Sequence, residues 1–275
     1  MATAKQTEKE ASCVAALMRE FPPSMVDKED EAFLSGNTYL RFARARDCNV
    51  AKSSEMLKAA IAWRKEAKPY AINIKDLQKQ MQQATLTCGG RDKEGNPVMV
   101  MVVGMKNECT VEERTRQIVY VLEETQRKGY DRLTWIIDFG AMGTQRDELA
   151  KETRKKAMKI LQDYYPERMA LSLIYRPPWY INWLLGLAKA FMDPRTAAKV
   201  HRGGSTIDDL EKFIERSQVP KVCGGTLEDS TATALENLPS MTAEQSTKAP
   251  ANGDGTAKKV SDVKSDDKGI AAAAN

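Results

Sequence analysis

The chain has few of the residue types that most acid–base and metal enzymes use. Its 275 residues include one histidine, His201, and five cysteines with no Cys-x-x-Cys pair. A zinc site needs about four His, Cys or carboxylate ligands, and a Ser-His-Asp or Cys-His enzyme would have to use His201. We therefore expect neither catalysis nor a bound metal or cofactor. Asp138, at the end of an apolar run, and His201 are the residues that an enzyme would have to use.

Long apolar runs are missing as well. The chain contains no stretch of about 18 apolar residues, and residues 1–16 are polar and carry both signs of charge. Neither a membrane span nor a secretory signal is predicted. An odd number of scattered cysteines does not resemble a disulfide framework. We therefore expect a cytoplasmic protein.

Charge is distributed unevenly along the chain. Residues 226–275 hold five Lys and eight Asp or Glu, which leaves 37 basic and 30 acidic residues before them. A mildly basic body suits an anionic partner such as a phospholipid surface, a phosphate or a nucleic acid, but it also fits an ordinary solvated surface. Residues 230–275 contain no aromatic side chain and are predicted to be a disordered tail.

The front of the chain is predicted to be helical. Met56, Ala60 and Trp63 recur at helical spacing before Pro69, and a short helix is predicted at residues 39–46. We expect this helical region to extend to about Lys68.

The middle of the chain alternates between strands and helices. Near-continuous apolar runs predict strands at Pro97–Val103, Leu133–Phe139 and Met169–Tyr175. Helical segments at about Val111–Lys128 and Asp147–Tyr164 separate them. Strands joined by helical crossovers predict an α/β fold with a mostly parallel sheet.

The segment Trp179–Met192 is apolar nearly all round, with Asn182 and Lys189 as its clearest polar positions. One interpretation is a central core helix. The other is a helix that faces an apolar ligand on one side and a bilayer on the other, since its tryptophans suit a membrane interface. Further helices are predicted from Pro194 to about Val200 and near residues 207–216.

Several motifs, in order, resemble the CRAL-TRIO lipid-transfer family. They cover roughly residues 35–225, and the densest are Tyr-Tyr-Pro-Glu-Arg and Phe-Met-Asp-Pro-Arg-Thr-Ala-Ala-Lys. The six matching segments are residues 39–46 with 51–52 and 63–65, 90–98, 136–140, 162–169, 190–199 and 220–225.

This resemblance implies an N-terminal helical lobe, residues 1–70, followed by a CRAL-TRIO lobe, residues 71–229. The second lobe would have a mostly parallel sheet, a hydrophobic pocket and a mobile gate helix. Members of the family bind one lipid and exchange it between membranes. The gate residues expected to touch the membrane are Trp179, Ile181, Trp183, Leu184, Leu187, Phe191 and Met192.

The phosphatidylinositol-binding branch resembles this chain at Arg46, Glu167, Thr196 and Lys199. The residue types fit a phosphoinositol headgroup. Arginine and lysine donate charge-assisted hydrogen bonds to a phosphodiester, a carboxylate accepts from ring hydroxyls, and threonine can do either. The resemblance thus predicts a monomeric, peripherally membrane-associated carrier of phosphatidylinositol. It would transfer the lipid or present it to a kinase. Nucleic-acid binding is not expected, because the basic residues do not cluster with aromatic residues.

A second hydrophobic ligand is an open question in the sequence. Members that also carry phosphatidylcholine hold its headgroup with hydroxyl residues at the positions of Leu133 and Trp135, and with a tyrosine at the position of Cys88. None of these is retained here. The alternative prediction is therefore a carrier of another hydrophobic ligand, such as a sterol, a tocopherol or a retinoid.

Overall fold

Three helices build the first lobe of the computed structural model, which describes residues 4–143, 147–181, 185, 194–228 and 235–241. The helices are α1 (Ala4–Glu20), α2 (Gly36–Ala45) and α3 (Val50–Ala67), with short 3₁₀ turns between α1 and α2. Their inward side chains form one apolar cluster, including the fully buried Leu17, Phe42 and Leu57. Burial of this shared face is what holds three helices of this length together.

Local sequence signals set the ends of α3. The Asn49 side chain accepts a hydrogen bond from the backbone N–H of Lys52 at 3.1 Å, which satisfies one of the free amides at the helix start. Lys68 adopts a left-handed conformation at the other end, and Pro69 follows it. A left-handed residue followed by proline is a common way to stop a helix.

The second lobe alternates strands and helices around one sheet. Helix α5 begins with a capping box in which Thr110 and Glu113 each bind the other's backbone N–H. The elements are α4 (Gln78–Gln82), β1 (Leu86–Arg91), β2 (Pro97–Val102), α5 (Val111–Arg127), β3 (Leu133–Asp138), α6 (Ala150–Tyr164), β4 (Met169–Tyr175), α7 (Pro194–Lys199), β5 (Val200–Arg202) and α8 (Ile207–Leu210).

The five strands lie in the order β1-β2-β3-β4-β5, with β1 antiparallel to β2 and every later pair parallel. The predicted α/β architecture with a mostly parallel sheet is therefore confirmed. The register places one row of side chains across the sheet. Its members are Cys88, Met99, Trp135, Ser172 and Val200.

The two faces of the sheet have different covers. Side chains alternate along a strand, so Trp135 and Ile136 point to opposite faces. The Trp135 face packs against α5 and α6, and the Ile136 face packs against α8 and the segment around Val219. Burial on both faces explains why β2, β3 and β4 were recognisable as near-continuous apolar runs.

Two strands and one helix end differ from the prediction. The glycine-containing β1 and the three-residue β5 carry no apolar run and were not predicted. The helix predicted to extend from residue 207 to Arg216 ends at Leu210. There the chain turns back, and Ile214 forms a β-bridge with Asp92. Residues 211–216, which were predicted to continue the helix, are thus not α-helical, and Ile214 pairs with the turn between β1 and β2 instead.

The predicted start of the disordered tail at residue 230 is wrong for residues 235–241. Leu235 and Leu238 are buried in the core that also contains Tyr130. The Lys128 ammonium donates to the carbonyl of Leu238 at 2.8 Å, and the Tyr130 hydroxyl donates to that of Pro239 at 2.8 Å. Two leucines supply enough apolar burial to order this segment. Residues 242–275 lie outside the described residues.

The two lobes meet at a buried charge cluster, the lobe junction, formed by Asp30, Arg64, Glu123 and Tyr165. Arg64 Nη2 lies 2.6 Å from Asp30 Oδ1 and 2.7 Å from Glu123 Oε2, and the Tyr165 hydroxyl donates to Glu123 at 2.7 Å. Burial disfavours the charge of Arg64, but the hydrogen bonds to Glu123 and Asp30 outweigh it and raise the pKa of Arg64. Arg64 is therefore charged and fixed between the lobes.

Aromatic stacking reinforces the same contact. The indole of Trp63 lies parallel to the ring of Tyr164, with centroids 4.4 Å apart. Trp63 thus contacts both Tyr164 and Tyr165 at the end of α6. Arg64, the next residue of α3, is linked to Tyr165 through Glu123. The segment that follows, which carries Glu167, is held at the lobe boundary.

Candidate functional site

Arg46 caps the C-terminus of α2 and is half-buried. Its Nη1 donates to the neighbouring carbonyl of Ala45 at 3.0 Å. The two preceding arginines are engaged with carboxylates: Arg44 pairs with Glu10 and Arg41 with Asp131. Arg46 forms no ion pair with any residue that the structure describes. Of Arg41, Arg44 and Arg46, it is the one without a carboxylate partner among the described residues.

Glu167 lies in the turn between α6 and β4 and adopts a left-handed conformation with φ of 58°. A residue other than glycine pays about 1–2 kcal/mol for this conformation. The neighbours on either side hold it there. Tyr165 is hydrogen-bonded in the lobe junction, and Arg168 is buried immediately afterwards.

Arg168 anchors this turn through backbone acceptors. Its guanidinium donates to the carbonyls of Leu122, Tyr130 and Asp131 at 2.9, 2.8 and 2.6 Å. Burial, together with the nearby charge of Arg41, lowers the pKa of Arg168 to about 9. Because this value is still above neutral pH, the side chain stays charged. The Glu167 backbone is thus clamped from its C-terminal side.

Lys199 is the last residue of α7 and reaches Glu167. Its Nζ lies 2.8 Å from Glu167 Oε2, and the two side chains are 16% and 29% exposed. Thr196, one helical turn earlier, is exposed on the same short helix. The structure therefore brings Glu167 and Lys199 into contact and places Thr196 near them on the helix.

Arg46 is linked to this pair indirectly. No hydrogen bond within the described ranges joins Arg46 to Glu167 or Lys199. Helix α2 is instead connected through Arg41, which binds the Asp131 carboxylate, while the Asp131 carbonyl accepts from Arg168. This chain of contacts fixes α2 relative to the Glu167 turn. Arg41 and Arg168 are positioning residues that motif reading did not single out, because an arginine's burial cannot be inferred from its spacing.

The two residues considered for catalysis are engaged elsewhere. Asp138 is completely buried, accepts from Arg176 Nε at 2.8 Å, and accepts from the backbone N–H of Gly140 at 2.9 Å. His201 stacks at a tilt on Phe213, with ring centroids 5.7 Å apart. His201 lies on the Ile136 face of the sheet. The two form no acid–base pair within the described part of the chain.

Arg176 also holds the start of the predicted gate. Its φ is 48°, its backbone N–H donates to Gly204 at 2.8 Å, and its Nη2 donates to the carbonyl of Val222 at 3.0 Å. A Cβ on Gly140 would lie 2.5 Å from the Arg176 guanidinium, so glycine makes room for this clamp. The chain therefore leaves β4 from a fixed point just before Pro177.

The positions considered for a second ligand share one sheet face. Cys88, Leu133 and Trp135 are buried in one apolar cluster, and burial raises the pKa of the Cys88 thiol to about 12. The indole N–H of Trp135 has no acceptor among the residues that the structure describes. This face thus offers apolar surface and one unpaired donor.

The gate is described only at its start. A helical turn begins at Trp179, which is 81% exposed, and continues through Tyr180 to the half-buried Ile181. The other predicted gate residues, Trp183, Leu184, Leu187, Phe191 and Met192, lie outside the described residues. None of the helices that the structure describes is long and apolar enough to cross a bilayer.

A separate cleft of about 300 Å³ lies between α3, α5 and α6. Trp63, Lys68, Arg116 and Lys156 contribute to its walls, and none of the four predicted headgroup residues does. It is therefore distinct from the Glu167–Lys199 pair. The described ranges contain no group of three or more His, Cys, Asp or Glu residues placed to hold a metal ion.

Sequence comparison identifies one family and several relatives. Residues 81–225 match the CRAL/TRIO domain model. The chain is 30% identical over 203 residues to Patellin-6 of Arabidopsis thaliana, which covers 68% of this chain and 50% of that protein. It is 26% identical over 230 residues to the phosphatidylinositol transfer protein CSR1 of Eremothecium gossypii, covering 76% and 52%. The chain thus spans about half the length of these relatives.

Structural comparison supports the fold. The crystal structure of Sfh5 superposes with a TM-score of 0.60, covering 90% of this chain and 96% of that one, at 16% sequence identity. At this identity the likeness concerns the fold alone. It covers both the helical lobe and the sheet lobe.

Proposed function

Because the chain belongs to the CRAL/TRIO domain family, a family of lipid-binding proteins, we propose that it binds phosphatidylinositol and transfers or presents it between membranes. Relatives that carry phosphatidylinositol transfer in their names support the choice of lipid. The observation that carries the proposal is the half-buried ion pair between Glu167, in the Tyr-Tyr-Pro-Glu-Arg motif, and Lys199, at the end of the second motif.

The chemistry of the pair fits a phosphoinositol headgroup. A phosphodiester can replace Glu167 as the acceptor for Lys199, and an inositol hydroxyl can replace Lys199 as the donor to Glu167. Because an ion pair with partly exposed side chains contributes on the order of 1 kcal/mol, exchanging it for ligand contacts costs little. Arg46 would supply a second cation to the phosphate, and Thr196 a hydroxyl to either group.

The acyl chains need a cover that water cannot enter. About 30 methylenes at roughly 0.8 kcal/mol each make spontaneous escape from a bilayer cost on the order of 20 kcal/mol. The Trp135 face of the sheet, which packs against α5 and α6, is the apolar surface that we propose receives the acyl chains. We propose that the gate opens at the membrane with Trp179 and Ile181 at the interface, while Arg176 holds its base. No covalent bond is made or broken, so the protein would be a carrier and not an enzyme.

The first test is to identify the bound lipid. Purified full-length protein is extracted with organic solvent, and the extract is analysed by mass spectrometry. Phosphatidylinositol recovered in near-stoichiometric amount supports the proposal. Recovery of only a sterol, a tocopherol, a retinoid or no lipid contradicts it.

A transfer assay tests the headgroup residues. Lys199→Ala and Arg46→Ala should each abolish phosphatidylinositol transfer between vesicles while the far-ultraviolet circular dichroism stays that of the wild type. Lys212→Ala is a matched control, because Lys212 also pairs with one carboxylate, Asp209 at 3.1 Å, but lies elsewhere on the lobe. Wild-type transfer by both site variants would rule out the headgroup assignment.

A second candidate function is transport of another hydrophobic molecule that carries a single hydrogen-bond acceptor. The observation that favours it is the buried indole N–H of Trp135, whose acceptor is missing among the described residues. An unpaired buried donor is costly, so a ligand oxygen at this point would recover the lost hydrogen bond. A sterol hydroxyl or a tocopherol chromanol has such an oxygen.

Trp135→Phe separates the two candidates, because phenylalanine keeps the ring and removes the donor. It should weaken binding of a fluorescent sterol by about tenfold, which corresponds to one buried hydrogen bond. Phosphatidylinositol binding should be unchanged. Equal sterol binding by the variant and the wild type would remove the second candidate.

A further inference from the structure

Helix α6 carries an exposed cationic stripe. Lys151, Arg154 and Lys155 are spaced three and four apart, so they lie side by side on the outer face of the helix. None of the three forms an ion pair within the described ranges, whereas Lys156 and Lys159 beside them are each paired with a carboxylate. A charge that is left without an internal partner is available for an external one.

Acidic residues do not cancel this stripe. Glu152 lies at its edge and the exposed Glu148 precedes it, so the exposed charged residues from 148 to 155 still carry a net charge of +1. The next residue on the outer face toward the C-terminus is Met158, which is 47% exposed. The surface of α6 is therefore both cationic and partly apolar.

Exposed apolar side chains cluster beside the stripe, at the carboxyl edge of the sheet. Trp179 is 81% exposed, Met142 40%, and Leu149 and Tyr180 37% each. The Tyr180 hydroxyl lies 3.4 Å from the Met142 sulfur, which joins the loop after β3 to the start of the gate. Exposed aromatic and aliphatic groups gathered at one place mark an interaction surface.

Topology brings the stripe and the apolar cluster to the same end of the molecule. Strands β3 and β4 are parallel, and α6 connects the end of the first to the beginning of the second. Its N-terminus, preceded by Leu149, must therefore lie at the edge where Trp179 follows β4. Gly104, after β2, lets the Met142 loop approach closely, since a Cβ there would lie 2.5 Å from Met142 Cα.

We propose that Lys151, Arg154 and Lys155, with Met142, Leu149 and Trp179, form a surface that docks on an anionic lipid bilayer. Basic side chains are attracted to anionic lipids, and tryptophan sits at the boundary between headgroups and acyl chains. Cationic side chains without an ion-pair partner lie beside exposed apolar side chains on this surface. A bilayer can contact both kinds of group, whereas a nucleic acid backbone would contact only the cations. The inference rests on the proposed function, because lipid exchange requires docking on a membrane. Vesicle binding can nevertheless be measured whether or not the protein carries phosphatidylinositol.

Vesicle binding by the full-length chain tests the surface. Wild-type protein should bind vesicles of phosphatidylcholine with phosphatidylserine more tightly than phosphatidylcholine alone, and added salt should weaken the difference. Combined Lys151→Ala, Arg154→Ala and Lys155→Ala should lower the affinity for the anionic vesicles on the order of 100-fold, at about 1 kcal/mol per basic residue. The matched control replaces Lys52, Lys58 and Lys65, three exposed lysines of α3, with alanine.

The apolar part has its own variants. Trp179→Ala and Met142→Ser should reduce binding to both kinds of vesicle, because they remove surface that enters the interface. Met25→Ser, at a methionine of similar exposure on the other lobe, should leave binding unchanged. Undiminished binding of anionic vesicles by the α6 triple variant, or an equal loss in the α3 control, would overturn the proposal.

Lipid analysis keeps the two proposals apart. The α6 triple variant should retain the same bound lipid as the wild type, because the substituted side chains lie outside the Glu167–Lys199 site. Absence of phosphatidylinositol from the wild-type protein would contradict the proposed function alone. The vesicle measurements would still decide the docking surface.

Discussion

The lobe junction and the Glu167–Lys199 pair are two charged clusters that differ in burial. They are close in the chain, because only one residue separates Tyr165 of the junction from Glu167. The side chains of Arg64, Asp30 and Glu123 are 2%, 5% and 13% exposed, so the cation and one of its two carboxylates are buried, whereas those of Lys199 and Glu167 are 16% and 29% exposed. Buried charges that lose a partner cannot be rehydrated, but accessible charges can. The first cluster is therefore suited to fixing the lobes, and the second to exchanging partners.

The difference predicts different consequences for the same kind of change. Removing a charge from the lobe junction should cost stability, and removing one from the Glu167–Lys199 pair should cost ligand binding. Four changes, taken from the largest expected effect on stability to the smallest, test this division.

Arg64→Met should destabilise the protein by about 3–5 kcal/mol, because it leaves the buried Asp30 carboxylate and the half-buried Glu123 carboxylate without their cation. Urea unfolding followed by circular dichroism measures the change. Arg216→Met is the control, since Arg216 also pairs with two carboxylates, Asp208 and Glu211, but on the surface, so that its removal should cost little stability. Similar losses in both variants would contradict the special role of the junction.

Replacing both Leu235 and Leu238 with alanine should lower the free energy of unfolding by about 2 kcal/mol or more, because both leucines are buried against the core. The same urea titration serves. Met18→Ala, at a 49% exposed methionine, should change stability by less than about 0.5 kcal/mol. A negligible effect of the double substitution would mean that residues 235–241 contribute nothing to the folded lobe.

Glu167→Gly should be more stable than Glu167→Ala by about 1 kcal/mol, since glycine adopts the left-handed conformation without strain. Thermal unfolding of the two variants gives the comparison. At Glu55, inside α3, the order should reverse, because glycine is about 1 kcal/mol worse than alanine in a helix. Both Glu167 variants should lose phosphatidylinositol binding equally, since neither has the carboxylate.

Lys199→Ala should change the free energy of unfolding by less than about 1 kcal/mol, because the pair that it breaks is partly exposed. Loading with phosphatidylinositol should raise the melting temperature of the wild type but not of this variant, since a ligand stabilises only a protein that binds it. A melting temperature of Lys199→Ala that rises on loading as much as that of the wild type would place the headgroup elsewhere.

Sequence reasoning found the elements whose own composition identifies them. The strands β2, β3 and β4 are near-continuous apolar runs, so each was recognisable without its neighbours. By contrast, β1 and β5 were missed, because they are strands only through pairing with β2 and β4. Leu235 and Leu238 were missed because two leucines in a polar stretch form a core contact only where a complementary surface exists.

The candidate site divides in the same way. Arg46, Glu167, Thr196 and Lys199 were predicted by residue type and by family resemblance. Nothing in the spacing of Glu167 and Lys199, which are 32 residues apart, indicates that they form an ion pair. Nor does the motif containing Arg168 show that this arginine is buried while the glutamate before it remains accessible.

The sequence by itself determined the α/β class, the approximate strands, the candidate residues and the scarcity of groups for acid–base or metal chemistry, because these depend on local composition and order. The tertiary structure decided which charges are buried and which remain free to exchange partners. Burial depends on contacts between segments that are distant in the chain, such as Arg64 with Glu123 or Glu167 with Lys199. The same residue type is therefore held between the lobes at one position, Glu123, and is more exposed at another, Glu167.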